Sequence, residues 1–375
     1  MPRIRELDIY NSQLPPGANN AITDVAGVAV GHYTLIQGEG AWTGNGPFRT
    51  GVTLILPHTG NIYEDKVAAA VYTINGFGKP IGFEQVRELG NLETPIALTG
   101  TLNAPRIADA LITLAIAQNS HIGLGFAASG RQGYASVNPV VGETNDGYLS
   151  DMQARPLGLA EVQAALDDAT TGAVAEGVVG AGTGTSCYGW KGGMGTASRV
   201  LPAKGGKFTI GALVQTNFGS PPELTIAGVP VGRHVQPPTV TVNRQSSIVN
   251  RQSPNDGSIM IVLATDAPLD GRQLGRLCRR AAFGLARTGS TCHGGSGDFV
   301  IAFSTTNRIP DRPLRVQTTR LVVYEQAVMS MLSLGVIEAV EEAIYNSLFM
   351  AQTVVGRDGH VRYRLPVDEV VALMR

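Results

Sequence analysis

Residues 255–269 read NDGSIMIVLATDAPL, running from Asn255-Asp256-Gly257-Ser258 into an unbroken apolar run and ending at Leu269. Immediately upstream, residues 236–257 read QPPTVTVNRQSSIVNRQSPNDG, a polar segment with NRQS at 243–246 and again at 250–253. A near-repeat of this kind reads either as a tether of uncritical length or as an ordinary surface loop. The switch from polar to apolar composition predicts a buried strand over 258–264, headed by a serine. A serine placed there has the parts that intramolecular chain cleavage needs. Its hydroxyl can attack the carbonyl carbon before it, and Gly257 offers no Cβ to hinder the approach. Hydrolysis of the resulting ester would free Ser258 as a new N-terminus. Its α-amine, with an ordinary pKa of about 7.7–8.0, could then help to take the proton from the hydroxyl. On these residues alone the competing reading, in which Asn255-Asp256-Gly257 is a turn leading into a strand, stays open.

Outward from this stretch, short apolar runs alternate with turns: residues 26–31, 51–56, 66–72, 207–216 and 298–303 read as strands. Helical spacing begins at Asn103, a capping type, with Pro105 suited to a first turn. It continues through Ile107, Leu111 and Leu114 to about Gln118. A second helix is predicted after Asp270, with Leu274, Leu277, Ala281 and Leu285 on one stripe. The longest runs from about Tyr324 to Phe349, with a break expected at Gly335. Blocks of strands and separate blocks of helices predict an α+β fold of layered sheets covered by helices.

Of 375 residues, 43% are hydrophobic and 16% charged, and the net charge is −1. That length supports a large core. The near-neutral balance gives no field to attract nucleic acid or an anionic membrane, so neither is expected as a partner. Cys187, Cys278 and Cys292 show no CxxC spacing, which predicts neither a disulfide framework nor a zinc knuckle. The first residues, MPRIRE, lack the apolar core of a secretory signal, no run approaches the length of a membrane span, and a cytoplasmic protein is expected. The 47 glycines sit singly at the ends of apolar runs, as turns and close backbone approaches require. The glycine-rich stretch 180–199 contains no phosphate-loop motif and is read as close packing near the site. His32, His58, His121, His234, His293 and His360 form no HExxH, and no GxSxG accompanies them. A histidine triad is therefore disfavoured, with His293 kept as an accessory because it is near Ser296. No metal and no cofactor are expected.

The NDGSIMIVLATDAPL run resembles the processing site of the L-aminopeptidase/D-esterase (DmpA-type) family of self-processing serine aminopeptidases, which includes β-peptidyl aminopeptidases. Other segments resemble that family in the same order: TDVAGVAVGHYT at 23–34, GVTLILP at 51–57, ALTGTLNAPRIADAL at 97–111 and VVGETNDGYLSD at 140–151. They continue with GAGTGTSCYGWKGGMGTASR at 180–199, LVQTNFG at 213–219, ARTGSTCHGGSGDFVIAFST at 286–305 and EEAIYNSL at 341–348. The resemblance implies a four-layer αββα sandwich, N-terminal-nucleophile-like, with the topology of the DmpA and ornithine acetyltransferase type. It implies one catalytic domain over 1–375, autocleaved at Gly257-Ser258 into an α chain, 1–257, and a β chain, 258–375, that stay associated. A homo-oligomer of such pairs is expected.

By the same resemblance Ser258 is the nucleophile of an acyl-enzyme. Ser296 and Asp298, in GGSGD, are its partners, with Ser296 hydrogen-bonded to Ser258 and Asp298 orienting the pair. Some relatives carry Glu at the position of Asp298. Asn217 is implied as the oxyanion-hole donor. Glu143 is implied to receive the substrate's ammonium, with Asn145 and Tyr148 lining the same pocket. The implied reaction releases N-terminal residues from short peptides, amides or esters. Two alternatives are an acyl transferase like the ornithine acetyltransferases, which use a threonine nucleophile, and a non-catalytic small-molecule-binding protein of the same fold.

Overall fold

The computed structural model describes residues 1–124, 135–203, 206–238, 256–311 and 316–375. Both NRQS repeats lie outside the described residues.

The chain forms β1 (Ala29–Gln37), β2 (Phe48–Leu56), β3 (Asp65–Gly76), helix α1 (Phe83–Leu89), β4 (Asn91–Leu92), β5 (Ile96–Gly100), α2 (Ala104–Gln118), β6 (Val140–Thr144) and α3 (Leu159–Asp167). The glycine-rich region then supplies β7 (Ser186–Cys187), β8 (Trp190–Lys191) and β9 (Met194–Val200), followed by β10 (Thr209–Asn217). The last third holds β11 (Asp256–Thr265), α4 (Gly271–Arg287), β12 (Gly295–Pro310), α5 (Glu325–Phe349), β13 (Val354–Val355), β14 (Val361–Arg362) and α6 (Val367–Met374).

Among the described residues these strands make a four-stranded sheet, β1-β2-β5-β6, and a six-stranded sheet, β4-β3-β12-β11-β10-β9, beside the hairpins β7-β8 and β13-β14. Two pairings are parallel, β5 with β6 and β11 with β12. Parallel neighbours need a crossover connection, and α2 and α4 lie in the respective connections. The fold is α+β.

Three cores account for which residues are apolar. One joins Val30, Ile55, Leu98 and Val140 of the smaller sheet to Val67, Leu213, Met260, Val262 and Ile301 of the larger. A second packs Val52, Leu54 and Val141 of the smaller sheet against Ile107 and Leu111 of α2 and Val162 of α3. The third packs Val214, Ile259, Ile261, Leu263 and Val300 of the larger sheet against Leu274, Leu277 and Leu285 of α4 and Leu332, Val336 and Ile344 of α5. Successive residues of β11 point to opposite faces, so Ile259, Ile261 and Leu263 meet the helices while Met260 and Val262 meet the other sheet. This two-sided burial is why the run after Ser258 reads as continuously apolar.

Helix α4 begins as expected, with the Asp270 carboxylate accepting from Gln273 N at 2.7 Å. Two local expectations are corrected. Asn103 makes no side-chain cap for α2; its side-chain Oδ1 accepts from Leu157 N at 3.4 Å instead. Gly335 does not break α5, which runs continuously from Glu325 to Phe349. Its role is close approach: a Cβ there would stand 2.6 Å from Ile210 Cγ2 of β10. The glycine-rich stretch does pack tightly, since a Cβ on Gly195 would meet the carbonyl oxygen of Ala343 in α5 at 2.0 Å. Strand β1 runs on to Gln37, six residues past the apolar run, and its second half is partly exposed. Strand β12 likewise extends over Gly295–Pro310.

Candidate active site

Strand β10 runs antiparallel to β11, and β12 runs parallel to it. The C-terminal end of β10 therefore meets the N-terminal ends of β11 and β12. Asn217 pairs with Ser258, Ser258 with Gly297, Gly257 with Ser296, and Ile259 with Asp298. A register shift in the β12–β3 pairing falls between Asp298 and Phe299, the kind of irregularity that re-aims side chains beside functional sites. In the smaller sheet, Glu143 of β6 pairs with Thr99 of β5. Gln215 of β10 ties the two sheets together beneath the site, donating to Thr99 O at 3.1 Å and Ala181 O at 3.0 Å.

A cleft of about 290 Å³ opens between these strand ends, lined among others by Glu143, Asn145, Tyr148, Asn217, Gly257 and Ser258. Ser258 is 5% exposed, and its hydroxyl donates to the carbonyl oxygen of Gly257 at 2.5 Å. The nucleophilic oxygen thus stands beside the peptide group that precedes it.

Ser296 and Asp298 are buried, and Ser296 Oγ donates to Asp298 Oδ1 at 2.6 Å. Burial pushes the Asp298 carboxyl above the ordinary aspartate range, and the bond from Ser296 offsets part of that rise. The expected bond between Ser296 and Ser258 is not the one formed. Both hydroxyls are engaged as donors elsewhere, Ser258 on Gly257 O and Ser296 on Asp298.

The Asn217 side-chain oxygen accepts from Ser186 N at 2.9 Å. This bond fixes the orientation of the amide and leaves its NH₂ end, the donor end, available to the cleft. Glu143 is buried at 3% exposure, accepting from Lys79 N at 2.7 Å and from the Thr101 hydroxyl. Asn145 is exposed, and its oxygen closes a local turn onto Gly147 N. The Tyr148 ring stacks on His360 at 4.6 Å, and the Arg362 guanidinium carbon lies 3.6 Å from the centroid of the tyrosine ring. Arg362 Nε also donates to Ser186 Oγ at 2.8 Å, so one side chain touches both the tyrosine and the residue that holds Asn217.

A profile described as Peptidase family S58 matches residues 20–362. The chain belongs to peptidase family S58. Among its relatives, a β-peptidyl aminopeptidase of Sphingosinicella xenopeptidilytica is 41% identical over 382 residues, spanning 100% of this chain and 91% of that protein. A crystal structure from Pyrococcus horikoshii superposes with a TM-score of 0.89 at 45% identity, covering 100% of this chain and 99% of that one. The L-aminopeptidase D-Ala-esterase/amidase of Ochrobactrum anthropi is described as a prototype of the serine aminopeptidases and a variant of the Ntn hydrolase fold. It superposes with a TM-score of 0.87 at 37% identity over 100% of this chain and 98% of its own. The chain shares that fold.

In this S58 member Ser258, Asn217, Glu143, Asn145 and Tyr148 line one cleft, with Ser296 and Asp298 on the strand beside Gly257. His293 Nε2 lies 2.9 Å from Glu223 Oε1, and the ring is close enough to Asp298 to act on its carboxyl electrostatically. The sequence reading missed Phe77, Lys79, Thr101, Met152 and Arg357, which also line the cleft. It also missed Lys191, whose buried ammonium donates to Gly182 O at 2.9 Å and Gly192 O at 2.7 Å. Burial pushes that ammonium down to about 7. Thr101, inside ALTGTLNAPRIADAL, and Lys191, inside GAGTGTSCYGWKGGMGTASR, carried a signal that could have been used. The three cysteines are free. Among the described residues no helix is long and apolar enough to cross a membrane.

Proposed function

We propose that this chain is a self-processing serine aminopeptidase of the N-terminal-nucleophile type, cleaved at Gly257-Ser258 and acting through an acyl-enzyme on Ser258. The observation that carries the reading is the Ser258 hydroxyl, 2.5 Å from the carbonyl oxygen of Gly257 at the edge of a cleft that also holds a buried carboxylate, Glu143. In processing, Ser258 Oγ attacks the Gly257 carbonyl carbon, the C–N bond breaks, and an ester replaces the amide. Water then hydrolyses the ester, leaving a carboxylate on Gly257 and a free α-amine on Ser258.

The same hydroxyl next attacks the carbonyl of a bound substrate. Asn217 donates to the developing oxyanion, and one such donor is typically worth about 2.7–4 kcal/mol of transition-state stabilisation. The Ser258 α-amine or the Ser296–Asp298 pair receives the hydroxyl proton, the leaving amine takes a proton, and water releases the acyl residue. Glu143 holds the substrate's ammonium, with Asn145 and Tyr148 beside it, and this restricts cleavage to the N-terminal residue of short peptides, amides or esters. The relatives named for β-peptidyl and D-Ala-esterase activity support that substrate range.

We read the three apolar cores as the interfaces of a four-layer αββα sandwich, helices outside and sheets within, forming one catalytic domain. Assembly of processed pairs into a homo-oligomer, and a cytoplasmic location, belong to the same reading.

Denaturing mass spectrometry of the purified protein beside Ser258→Ala tests it. The unmodified protein should give two pieces, 1–257 and 258–375, and the variant one intact chain. Two intact chains, or two broken ones, would sink the mechanism.

A further inference from the structure

The cleft that holds Ser258 contains a cation whose position the proposed reaction does not yet use. Arg357 lines it, and its guanidinium is anchored rather than free: Nε donates to Gly147 O at 2.7 Å, and the residue's own N–H donates to Leu149 O at 2.9 Å. Its Nη1 meets Asp358 Oδ2 at 3.2 Å. Asp358 is itself engaged, with Oδ1 accepting from Trp42 N at 2.8 Å. A guanidinium offers five N–H donors in a planar fork. Those contacts take one N–H on Nε and one on Nη1, leaving the Nη2 edge without a described partner. The side chain retains 25% exposure.

One small cleft therefore carries a buried carboxylate, a nucleophilic hydroxyl and an oriented guanidinium. Its volume of about 290 Å³ lies at the lower end of ordinary ligand sites, roughly 300–1,000 Å³. Such a space suits two residues better than a long peptide. A dipeptide with free ends carries an ammonium at one end and a carboxylate at the other, with its single peptide bond between them.

Resting on the reading of Ser258 as nucleophile and Glu143 as ammonium receptor, we propose that Arg357 binds the C-terminal carboxylate of the leaving residue, making free dipeptides the preferred substrates. The fork geometry favours a carboxylate over a neutral amide, because two N–H donors meet two equivalent oxygens only in the former. Phe77, 65% exposed and lining the same cleft, offers apolar surface to the side chain of that residue. The other cation lining the cleft, Lys79, is exposed, with its ammonium 5.8 Å from the Phe77 ring centroid, and it has no such anchoring.

The test compares kcat/KM for a dipeptide and for the same dipeptide with its C-terminus amidated. L-alanyl-L-alanine and β-alanyl-L-alanine serve as the acids, with the alanine and β-alanine p-nitroanilides as controls. The acyl part is identical within each pair, so their ratio reads only the far end. The unmodified, processed enzyme should favour the free acid by on the order of tenfold, as one partly exposed charge-assisted contact would give. Arg357→Gln should bring the ratio near one, and Arg357→Lys should give an intermediate ratio. Equal rates on acid and amide in the unmodified enzyme would overturn the proposal. So would an unchanged ratio in Arg357→Gln, or a collapse of the ratio in Lys79→Gln alone. Failure to cleave any of these compounds, p-nitroanilides included, would instead overturn the aminopeptidase reading, and this proposal with it.

Discussion

At the scale of single residues, Asp298 carries an expectation about pH. Its carboxyl is buried one strand away from Ser258 and hydrogen-bonded to Ser296, and burial raises its pKa above the ordinary aspartate value. A carboxyl that must be ionised to take part in proton transfer loses that ability as pH falls through its own pKa. The acid limb of kcat/KM should therefore lie above the ordinary aspartate range, and Asp298→Asn should remove that limb while lowering the rate. Initial rates on a p-nitroanilide across pH 4–9 measure this. A limb near the reference value of an α-amine, about 7.7–8.0, would assign the base role to the Ser258 amine instead. Asp146 shows the same physics three residues after Glu143. It is completely buried, and its carboxyl is pushed up to about 6, chiefly by desolvation, with Glu143 adding to the rise.

At the scale of elements, the short hairpin β13-β14 does more than close the chain near its end. Arg362, on β14, lies over the Tyr148 ring and reaches Ser186, whose N–H orients Asn217. Arg362→Met keeps much of the side chain's bulk but removes the fork. We expect kcat to fall about tenfold or more, with a smaller change in KM, since the oxyanion donor matters more as charge develops. Arg362→Lys should recover little, because an ammonium cannot stack on the ring and reach Ser186 in the same way. Steady-state kinetics beside a thermal melt separate this from simple unfolding: an equal loss in kcat and stability with no kcat-against-KM split would refute the positioning role. The packing of α5 on β9 follows the same logic of close approach. Only glycine at position 195 lets the Ala343 carbonyl come as near as it does.

At the scale of the whole molecule, the proposed cut falls inside the larger sheet. Strand β11 lies between β10, from the first segment, and β12, from the second. A buried ion cluster also crosses the two segments: Arg199 of β9 reaches Glu338 at 3.2 Å and Glu342 at 2.5 Å on α5, and Arg5 reaches Glu342 at 2.6 Å. Burial opposes ionisation of Glu342, but Arg5 and Arg199 overcome it and hold the carboxyl below its ordinary value. The two pieces should thus co-elute in size-exclusion chromatography and separate only in denaturant. Arg199→Met leaves two buried carboxylates without their shared cation and should cost about 3–5 kcal/mol in chemical denaturation. Arg87→Ala, which breaks the exposed pair with Glu84 on α1, should stay within about 1 kcal/mol. Similar losses for both would show that the cluster does not hold the pieces together.

What the sequence determined by itself is local or carried in fixed spacing. A polar segment giving way to an apolar run marks β11 within two residues of its start at Asp256, and Asp270 marks the start of α4, while Ser296 and Asp298 stand out through the family resemblance of the segment that holds them. These signals are legible because alternation, capping and motif spacing are written along the chain. Tertiary structure alone decided the rest. The burial of Glu143 against Lys79 N and Thr101 brings together three parts of the chain. Gly335 reads as a helix break until β10 shows it to be a contact. Arg357 has no motif at all, and its place in the cleft comes from a bond to Gly147 across 210 positions. Contacts at such separations arise from how sheets and helices pack, and no window of sequence contains both partners.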